Sequence, residues 1–316
     1  MKKILLYITI IAINLVVADR IFYYFFTNYV FAKTLSGDTG GAINYSLQKK
    51  ENVDCIILGS SRAKYLIDPA LLTAVCDGKG YNAGKSGFGG IVYNNMLLHL
   101  IVNKSTAPQM IILQVDPNYY FKWGVEDFTN ELLPLYPFIN NSKELRNFIS
   151  TNSNYAEKFK LFFHLYRYNG KFAGVLFNYF KRKSFKPNNG FESLTGRIDT
   201  TTFNITEPPK KEFTYSTVKI NLLADFVSTC NTLHIKLVVV FPPTYKNTYF
   251  VKQASDTITR LLNKDRAVTI FDFSDIQKNP ALQSADLWKD DSHLNNTGAV
   301  IFSKLLNDSI SLKLKP

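Results

Sequence analysis

Two short segments near opposite ends of the 316-residue chain carry residues that together can perform nucleophilic chemistry. In the first, an apolar run is followed by Gly59, Ser60 and Ser61, which places a hydroxyl group at the start of a predicted helix. In the second, Asp290 precedes His293 by three residues. That spacing lets the carboxylate hold one imidazole nitrogen while the other accepts a proton from a serine. Brought together by a fold, these side chains would make an activated nucleophile.

Each segment also has a simpler interpretation. Ser60 or Ser61 can act as an N-cap, whose side chain accepts a backbone hydrogen bond from the following helix. Asp291 lies next to Asp290 and is an alternative partner for His293, although the spacing favours Asp290. The two segments therefore support a catalytic interpretation only as a pair.

Between the two segments the chain alternates between predicted strands and helices. Apolar, β-branched runs that are typical of strands buried on both faces occupy 53–58, 110–115, 235–241 and 268–272, with a short edge strand at 80–82. Helices are predicted at 66–76, 90–104, 216–233, 247–263 and 297–312. This alternation predicts an α/β fold, with a three-layer, doubly wound, mostly parallel sheet of five strands. In such sheets ligands bind at the carboxyl ends of the strands, where Ser61 is expected to lie.

Residues 120–215 interrupt the alternation. This stretch is rich in Phe, Tyr, Asn and Lys, and we predict a helical and loop insertion with a loop near 187–190. Long insertions on such scaffolds commonly form lids or substrate grooves. The predicted organisation is an N-terminal membrane helix over 1–32, a linker over 33–52, and one α/β domain over 53–316 that carries the insertion.

The N-terminus has the pattern of a membrane anchor or an export signal. Lys2 and Lys3 precede an apolar stretch that reaches Phe26 and is interrupted only by Asp19 and Arg20. The stretch is long enough to cross a bilayer, and the Tyr and Phe residues at its end resemble an aromatic belt. An uncleaved anchor is the favoured interpretation. A signal cleaved just before Asp19 and a buried amphipathic helix are the alternatives. With both lysines in the cytoplasm, the rest of the chain is expected to lie outside it.

Composition narrows the classes of partner. The net charge is +12, from 37 Lys and Arg against 25 Asp and Glu, which favours anionic lipid headgroups or acidic polysaccharides, although a basic surface with no dedicated partner explains it equally well. No basic run exceeds Lys181-Arg182-Lys183, so nucleic acid is not an expected partner. The three cysteines lack CxxC spacing, and Cys55 is expected in the core of a strand. We therefore expect no metal and no cofactor.

Taken in order, the motifs resemble those of a known superfamily. A strand followed by Gly59-Ser60-Ser61 matches a block with the form Gly-Asp-Ser or Gly-Ser-Ser, and Asp290 with His293 matches a final Asp-x-x-His block. These are the blocks of the SGNH, or GDSL-like, hydrolases. The chain resembles in particular their membrane-anchored bacterial branch, the accessory proteins of alginate O-acetylation and D-alanylation. The resemblance implies a flavodoxin-like fold with Ser61 as nucleophile and Asp290 and His293 as its catalytic partners.

Two further blocks of that superfamily form the oxyanion hole. The stretch 81–87 matches the second block, which implies Gly87 as a hydrogen-bond donor, with Gly84 as the near alternative. Asn118 falls at the position of the asparagine in the third block, although the flanking glycine and aspartate of that block are both replaced. The resemblance thus implies an oxyanion hole made by the N–H groups of Ser61 and Gly87 and the Asn118 side chain.

The resulting hypothesis is a serine-dependent esterase or O-acyltransferase outside the cytoplasm. Its substrate would be acyl groups, in particular acetyl groups, of a cell-surface or exported glycan, and a membrane-bound acyl-transfer protein would be its partner. Arg62 is predicted either to bind an anionic substrate or to pair with a neighbouring carboxylate. The alternative function is a non-catalytic glycan-binding or scaffolding protein of a polysaccharide assembly machine. His99 and His234, predicted within helices, and His164 are expected to be structural.

Overall fold

The computed structural model describes residues 1–37, 40–48, 53–76, 79–87, 90–104, 107–122, 124–184, 189–201, 214–245, 249–263 and 268–314. The chain forms two compact units. The first, here called the helical unit, comprises Met1–Gln48, His99–Lys104 and Asp127–Lys186. The second, here called the sheet unit, comprises Lys49–Leu98, Ser105–Glu126 and Pro187–Pro316.

Five parallel strands form the centre of the sheet unit. They are β1 (Cys55–Leu58), β2 (Gly80–Asn82), β3 (Met110–Gln114), β4 (Lys236–Phe241) and β5 (Val268–Asp272). Their spatial order is β2-β1-β3-β4-β5, and every pairing is parallel. The predicted α/β class and all five predicted strands are confirmed. The residues of β1, β3 and β4 are buried with one exception at the start of β4, as expected of apolar strands in a parallel sheet.

The strand order creates a switch point beside β1. From β1 the chain passes to β2 on one side and then returns to β3 on the other. The carboxyl ends of β1 and β3 therefore flank the position at which open α/β sheets bind ligands. The register pairs Leu58 with Leu113, so the residues that follow β1 lie next to Gln114 at the end of β3.

The helices that were predicted from long apolar patterns are present in the structure. In chain order the α-helices are α1 (Lys2–Phe25), α2 (Gly41–Gln48), α3 (Ser61–Leu66), α4 (Thr73–Cys76), α5 (Ile91–Lys104), α6 (Thr129–Leu132), α7 (Lys143–Asn152), α8 (Tyr155–Phe162), α9 (Phe172–Lys181), α10 (Thr217–Thr232), α11 (Tyr249–Leu262) and α12 (Asn296–Leu314). The predicted helices at 90–104, 216–233, 247–263 and 297–312 correspond to α5, α10, α11 and α12. Residues 247 and 248 lie outside the described residues.

The predicted helix at 66–76 is wrong. The chain is helical earlier, in α3, and leaves the helix after Leu66. Asp68 then caps a short 3-10 turn that begins with Pro69, and α4 starts only at Thr73. Proline explains the break, because the residue before it is pushed away from helical backbone angles and its ring nitrogen donates no hydrogen bond.

A disulfide joins Cys55 on β1 to Cys76 at the end of α4. Both cysteines are fully buried, which confirms the core position expected for Cys55. The bond itself was not predicted from the sequence. Cys230 is the free cysteine, and burial raises the pKa of its thiol to about 12.

The helical unit begins with α1, whose residues are all at least partly exposed. Within the described part of the chain, α1 and its continuation to Lys33 form the one helix long and apolar enough to cross a membrane. The alternative of a buried amphipathic helix is therefore wrong. The predicted linker over 33–52 also differs, because it contains α2, whose Ile43 is buried. Residues 38, 39 and 49–52 of that linker lie outside the described residues.

The predicted insertion divides between the units. Residues 127–186, which include α6 to α9, belong to the helical unit, and the remainder of 120–215 belongs to the sheet unit. Phe121 and Tyr215 form an antiparallel bridge, so the two ends of the insertion meet. The predicted loop at 187–190 is described only from Asn189, and 202–213 also lies outside the described residues.

The turn from β1 into α3 requires glycine at position 59, and this requirement can be tested. The φ of Gly59 is +153°, and an added Cβ would lie 2.6 Å from Gln114 Oε1 and 2.7 Å from Ala63 Cβ. We expect Gly59→Ala to lower the free energy of unfolding by about 2–4 kcal/mol, because the methyl group adds crowding to backbone strain.

Gly124→Ala is the matched control, to be measured by the same urea titration. Gly124 has a φ of +66°, and no atom lies within 4 Å of an added Cβ. Its substitution should cost only the backbone strain of about 1–2 kcal/mol. Equal losses for the two variants would contradict the close packing at Gly59.

Candidate active site

Ser60 and Ser61 take different roles at the start of α3. The Ser60 side chain accepts a hydrogen bond from the backbone N–H of Arg62 at 3.2 Å and is the N-cap of the helix. Ser61 is the first helical residue, and its Oγ lies 2.8 Å from Nε2 of His293. Ser60 is therefore the N-cap, a role that the sequence allowed for either serine. The hydroxyl of Ser61 contacts His293.

Asp290 and His293 are held together by a tight turn just before α12. Asp290 Oδ1 accepts hydrogen bonds from the backbone N–H groups of Ser292 at 2.9 Å and His293 at 2.8 Å. The same carboxylate contacts the imidazole, with both oxygens 3.0 Å from Nδ1 of His293. Trp288 and Leu294 pair across the base of the turn and are fully buried. The Asp-x-x-His spacing is therefore the spacing that this turn requires.

The contacts determine which imidazole nitrogen is free to accept a proton. An ionised carboxylate only accepts hydrogen bonds, so Nδ1 of His293 must donate to Asp290. Nε2 then carries the lone pair and accepts from the Ser61 hydroxyl. Partial burial would raise the pKa of Asp290, but hydrogen bonds from His293 and Ser292 and the nearby imidazole outweigh it and hold that pKa well below its usual range. Asp290 is therefore ionised at neutral pH.

Asp291 is not the partner of the histidine. Its side chain is exposed, and among the described residues only its backbone carbonyl has a hydrogen bond, which it accepts from the N–H of Tyr245 at 3.0 Å. The choice between the two aspartates, which the sequence decided only by spacing, is decided here by the contacts of Asp290 with His293.

Tyr65 is a further side chain of the site. It lies one helical turn after Ser61, and its ring packs edge-on against the imidazole of His293 with 5.8 Å between the ring centroids. Its hydroxyl lies 2.6 Å from Ser86 Oγ, which ties the loop after β2 to α3. Tyr65 was not predicted from the sequence, although a residue four positions from the nucleophile lies on the same helix face.

The loop after β2 distinguishes the two candidate glycines of the oxyanion hole. The Gly84 N–H donates to Asn82 Oδ1 at 2.9 Å, and a Cβ on Gly84 would lie 2.7 Å from the backbone nitrogen of Lys64. Gly84 is thus packed against α3 with its N–H already bonded. Gly87 follows Ser86 with a φ of +78°. Its role as a donor stays a prediction, now without Gly84 as its alternative.

Asn118, the asparagine that the third block implies, lies four residues after the end of β3 at Gln114. It belongs to a 3-10 turn, Pro117–Tyr120, and its Oδ1 is buried with no hydrogen-bond partner among the described residues. Buried side-chain oxygens normally have a partner, but Asn118 would bind an oxyanion through its Nδ2 group, and the unpartnered oxygen is not evidence for that role. Its contribution to the oxyanion hole also stays a prediction.

For Arg62 the structure favours the second predicted role. Its guanidinium contacts Asp116 Oδ1 at 2.6 Å and donates to the carbonyl oxygens of Pro242 at 3.0 Å and Pro243 at 2.5 Å. The Arg62 and Asp116 side chains are only 11% and 9% exposed. These contacts bind the first turn of α3 to the ends of β3 and β4, and they do not favour the predicted contact with substrate.

Ser60 extends this ion pair into a network. Its hydroxyl lies 2.9 Å from Gln114 Oε1 and 2.7 Å from Asp116 Oδ2, and its N–H donates to Gln114 Oε1. We call Ser60, Arg62, Gln114 and Asp116 the strand-end network. From the sequence, Asp116 was identified only as the residue that replaces the glycine of the third block, and Gln114 was not identified.

The remaining histidines belong to other elements of the chain than the triad residues. His99 is on α5, as predicted. His164 packs against Tyr23 in the helical unit, where burial, with Arg167 and Arg20, lowers its pKa to about 4. His234 is not within a helix, contrary to the prediction, because it follows α10 in a left-handed conformation with a φ of +55°.

No protein-family model and no curated protein matches this chain. The described residues contain no group of three or more His, Cys, Asp or Glu side chains that could hold a metal ion.

The strand-end network predicts a large energetic coupling between Arg62 and Asp116. Asp116→Ala should lower the free energy of unfolding by about 3–5 kcal/mol, because it leaves a buried guanidinium without its counter-ion. A double-mutant cycle with Arg62→Ala, measured by urea titration, isolates the coupling. Arg197 and Asp286, 3.0 Å apart but 73% and 65% exposed, are the matched control pair and should couple by about 0–1 kcal/mol. Equal couplings would contradict the role given to the network.

The lowered pKa of Asp290 predicts how its contribution to stability depends on pH. A carboxyl group with a lower pKa in the folded state stabilises the fold above its unfolded pKa of about 3.9, and this effect is lost as the pH falls below that value. The difference in unfolding free energy between the parent and Asp290→Asn should therefore be largest at neutral pH and shrink below about pH 4. Asp291→Asn, the control, should show a small difference throughout. A difference for Asp290→Asn that is constant with pH would refute the assignment.

Proposed function

We propose that this chain is a serine esterase or O-acyltransferase that acts outside the cytoplasm on acyl groups, in particular acetyl groups, of a cell-surface or exported glycan. The observation that carries the proposal is the continuous contact from Ser61 Oγ through His293 to Asp290, with distances of 2.8 Å and 3.0 Å. A hydroxyl, an imidazole and an ionised carboxylate in this order are the components of serine acyl transfer.

The first half of the reaction forms an acyl-enzyme. The Ser61 oxygen attacks the ester carbonyl while Nε2 of His293 takes the hydroxyl proton, and Asp290 stabilises the imidazolium that results. The tetrahedral intermediate then expels the alcohol of the ester, which receives the proton from His293. In the second half, water or a sugar hydroxyl loses a proton to His293 and attacks the acyl group. The bond from the acyl group to the Ser61 oxygen then breaks, and His293 returns the proton to that oxygen, which restores the starting form. Water makes the protein an esterase, and a sugar hydroxyl makes it an acyltransferase.

The oxyanion of each intermediate needs donors beside Ser61. The Ser61 N–H is suited to this function because the first N–H groups of a helix have no partner within the helix. The N–H of Gly87 and the side chain of Asn118 are the further donors proposed. Removal of one such donor commonly lowers kcat by ~10²-fold or more.

Two features support a location outside the cytoplasm. The helix α1 is long and apolar enough to anchor the chain in a membrane, with Lys2 and Lys3 on the cytoplasmic side. The disulfide between Cys55 and Cys76 favours an oxidising compartment, because such bonds are rare in the cytosol. A glycan substrate is supported by the resemblance to the SGNH hydrolases and by the net charge of +12, which suits an acidic polysaccharide.

The competing function is a glycan-binding or scaffolding protein without catalytic activity. It is favoured by the replaced residues of the third block: Asp116, in place of the glycine, is bound to Arg62, and Tyr119, in place of the aspartate, is exposed. The two functions differ in whether the hydroxyl of Ser61 reacts.

The decisive experiment compares hydrolysis of p-nitrophenyl acetate by the full chain and by three variants in detergent. Ser61→Ala should fall to the uncatalysed rate, and Asp290→Asn should lower kcat by ~10²–10⁴-fold, because the imidazole loses its orienting partner. Asp291→Asn is the matched control and should keep the parent rate. An unchanged rate in Ser61→Ala would refute the catalytic proposal. An inactive parent that still binds acetylated glycan would support the scaffolding function.

A further inference from the structure

The helical unit exposes aromatic side chains that globular proteins usually bury. On α8 these are Tyr155, Phe159 and Phe162, and on α9 they are Phe172, Phe177 and Phe180; their exposed fractions lie between 47% and 87%. Single exposed apolar residues are common, but clusters of them mark surfaces that bind a partner or a membrane.

The spacing of these residues places them on common helix faces. Tyr155, Phe159 and Phe162 follow the i, i+4, i+7 pattern, so they project from one side of α8. Phe177 and Phe180 are three residues apart and share a side of α9. We call the exposed aromatic residues of α8 and α9 the aromatic surface.

The contacts of α1 determine the level at which the aromatic surface lies along that helix. The two carboxylate oxygens of Asp19 accept the backbone N–H groups of His164 and Leu165, each at 2.9 Å, in the segment between α8 and α9. Just beyond the end of α1, Phe26 stacks on Phe172 with 4.3 Å between the ring centroids. From Lys2 to Asp19 the helix rises about 26 Å. This is close to the ~30 Å thickness of the hydrocarbon core, so the aromatic surface lies where α1 would leave the bilayer.

An open groove in the helical unit lies at this same level. It has a volume of about 550 Å³, and Asp19 and several of the aromatic residues line it, among them Phe159 and Phe172. Phe159 of α8 and Phe172 of α9 therefore line one groove together with Asp19 of α1.

The charges around the aromatic surface suit anionic lipid headgroups. Residues 155–184 contain seven Lys and Arg residues, of which Lys160, Arg167 and Lys171 are buried. The four others are at least partly exposed, and the single acidic residue, Glu157, is buried against Lys160. Lys181-Arg182-Lys183 comes at the end of α9, and Lys181 Nζ lies 4.3 Å from the ring centroid of Phe177. Helices with aromatic residues on one face and basic residues beside them bind in the headgroup region of membranes.

We propose that the aromatic surface lies in the membrane interface at which α1 leaves the bilayer, with the basic residues on anionic lipid headgroups. The helical unit would then lie on the membrane, and it would not be separated from it by a flexible linker. This inference rests on the membrane anchor of the proposed function, and it does not depend on the reactivity of Ser61.

The test uses single cysteine substitutions in the full chain with Cys230→Ala, since the other two cysteines are bonded to each other. An environment-sensitive fluorophore is attached at Phe162→Cys or Phe180→Cys. Asn147→Cys is the matched control, because it is exposed on α7, whose exposed face is polar. Ile11→Cys, in the middle of α1, reports on the anchor. The labelled proteins are reconstituted in phosphatidylcholine and phosphatidylglycerol vesicles and quenched with nitroxide lipids or with aqueous iodide.

We expect the labels at 162 and 180 to be quenched by nitroxide lipids and protected from iodide, and the label at 147 to behave in the opposite way. If the labels at 162 and 180 behave like the label at 147 while the label at 11 is quenched by nitroxide lipids, α1 anchors the chain but the aromatic surface does not lie in the membrane interface. That result would refute the proposal. If the label at 11 is also open to iodide, the chain is not anchored by α1 and the inference fails with the anchor.

Discussion

The ion pair between Arg62 and Asp116 is the interaction on which the geometry of the site depends. It joins the first turn of α3 to the end of β3 and, through the prolyl carbonyl groups that Arg62 also binds, to the end of β4. Ser60 adds a second connection, because its hydroxyl and N–H both reach Gln114. Both charges are nearly buried, so loss of either would leave the other without compensation. A helix of only six residues has little stability of its own, and these bonds are what hold Ser61 in place.

The other half of the triad is positioned by equally buried structure, although it comes from 232 residues away. The turn that holds Asp290 and His293 is closed by Trp288, whose indole N–H donates to the carbonyl oxygen of Leu282. The following helix, α12, returns to α3, where the Ser303 hydroxyl donates to the Leu66 carbonyl oxygen at 3.1 Å. Nucleophile and base are thus fixed on two elements that are bonded to each other. Such preorganisation is what an acyl-transfer site requires, since it removes the cost of orienting the groups during the reaction.

The sequence predicted those parts of the structure that depend on long or local patterns. Unbroken apolar runs identified β1, β3 and β4, and the Asp-x-x-His spacing identified Asp290 as the carboxylate beside His293. It did not predict contacts that depend on register: only the alignment of β1 with β3 brings Gln114 to Ser60 and so decides which serine is the cap. The polar, Gly-containing composition of 33–52 suggested a linker, although α2 buries Ile43. The aromatic stretch after 120 gave no sign that it packs beside α1, because that contact joins segments more than 140 residues apart.

The account centres on the claim that the hydroxyl of Ser61 is activated by His293 while its neighbour Ser60 is not. The most direct measurement is reaction of the full chain with a fluorophosphonate, followed by peptide mass spectrometry to locate the adduct. The account predicts one adduct, on Ser61, and none on Ser60, whose hydroxyl is bound to Gln114 and Asp116. It also predicts that His293→Ala abolishes the adduct without unfolding the protein. No adduct on the parent protein, or an adduct on another serine, would contradict it.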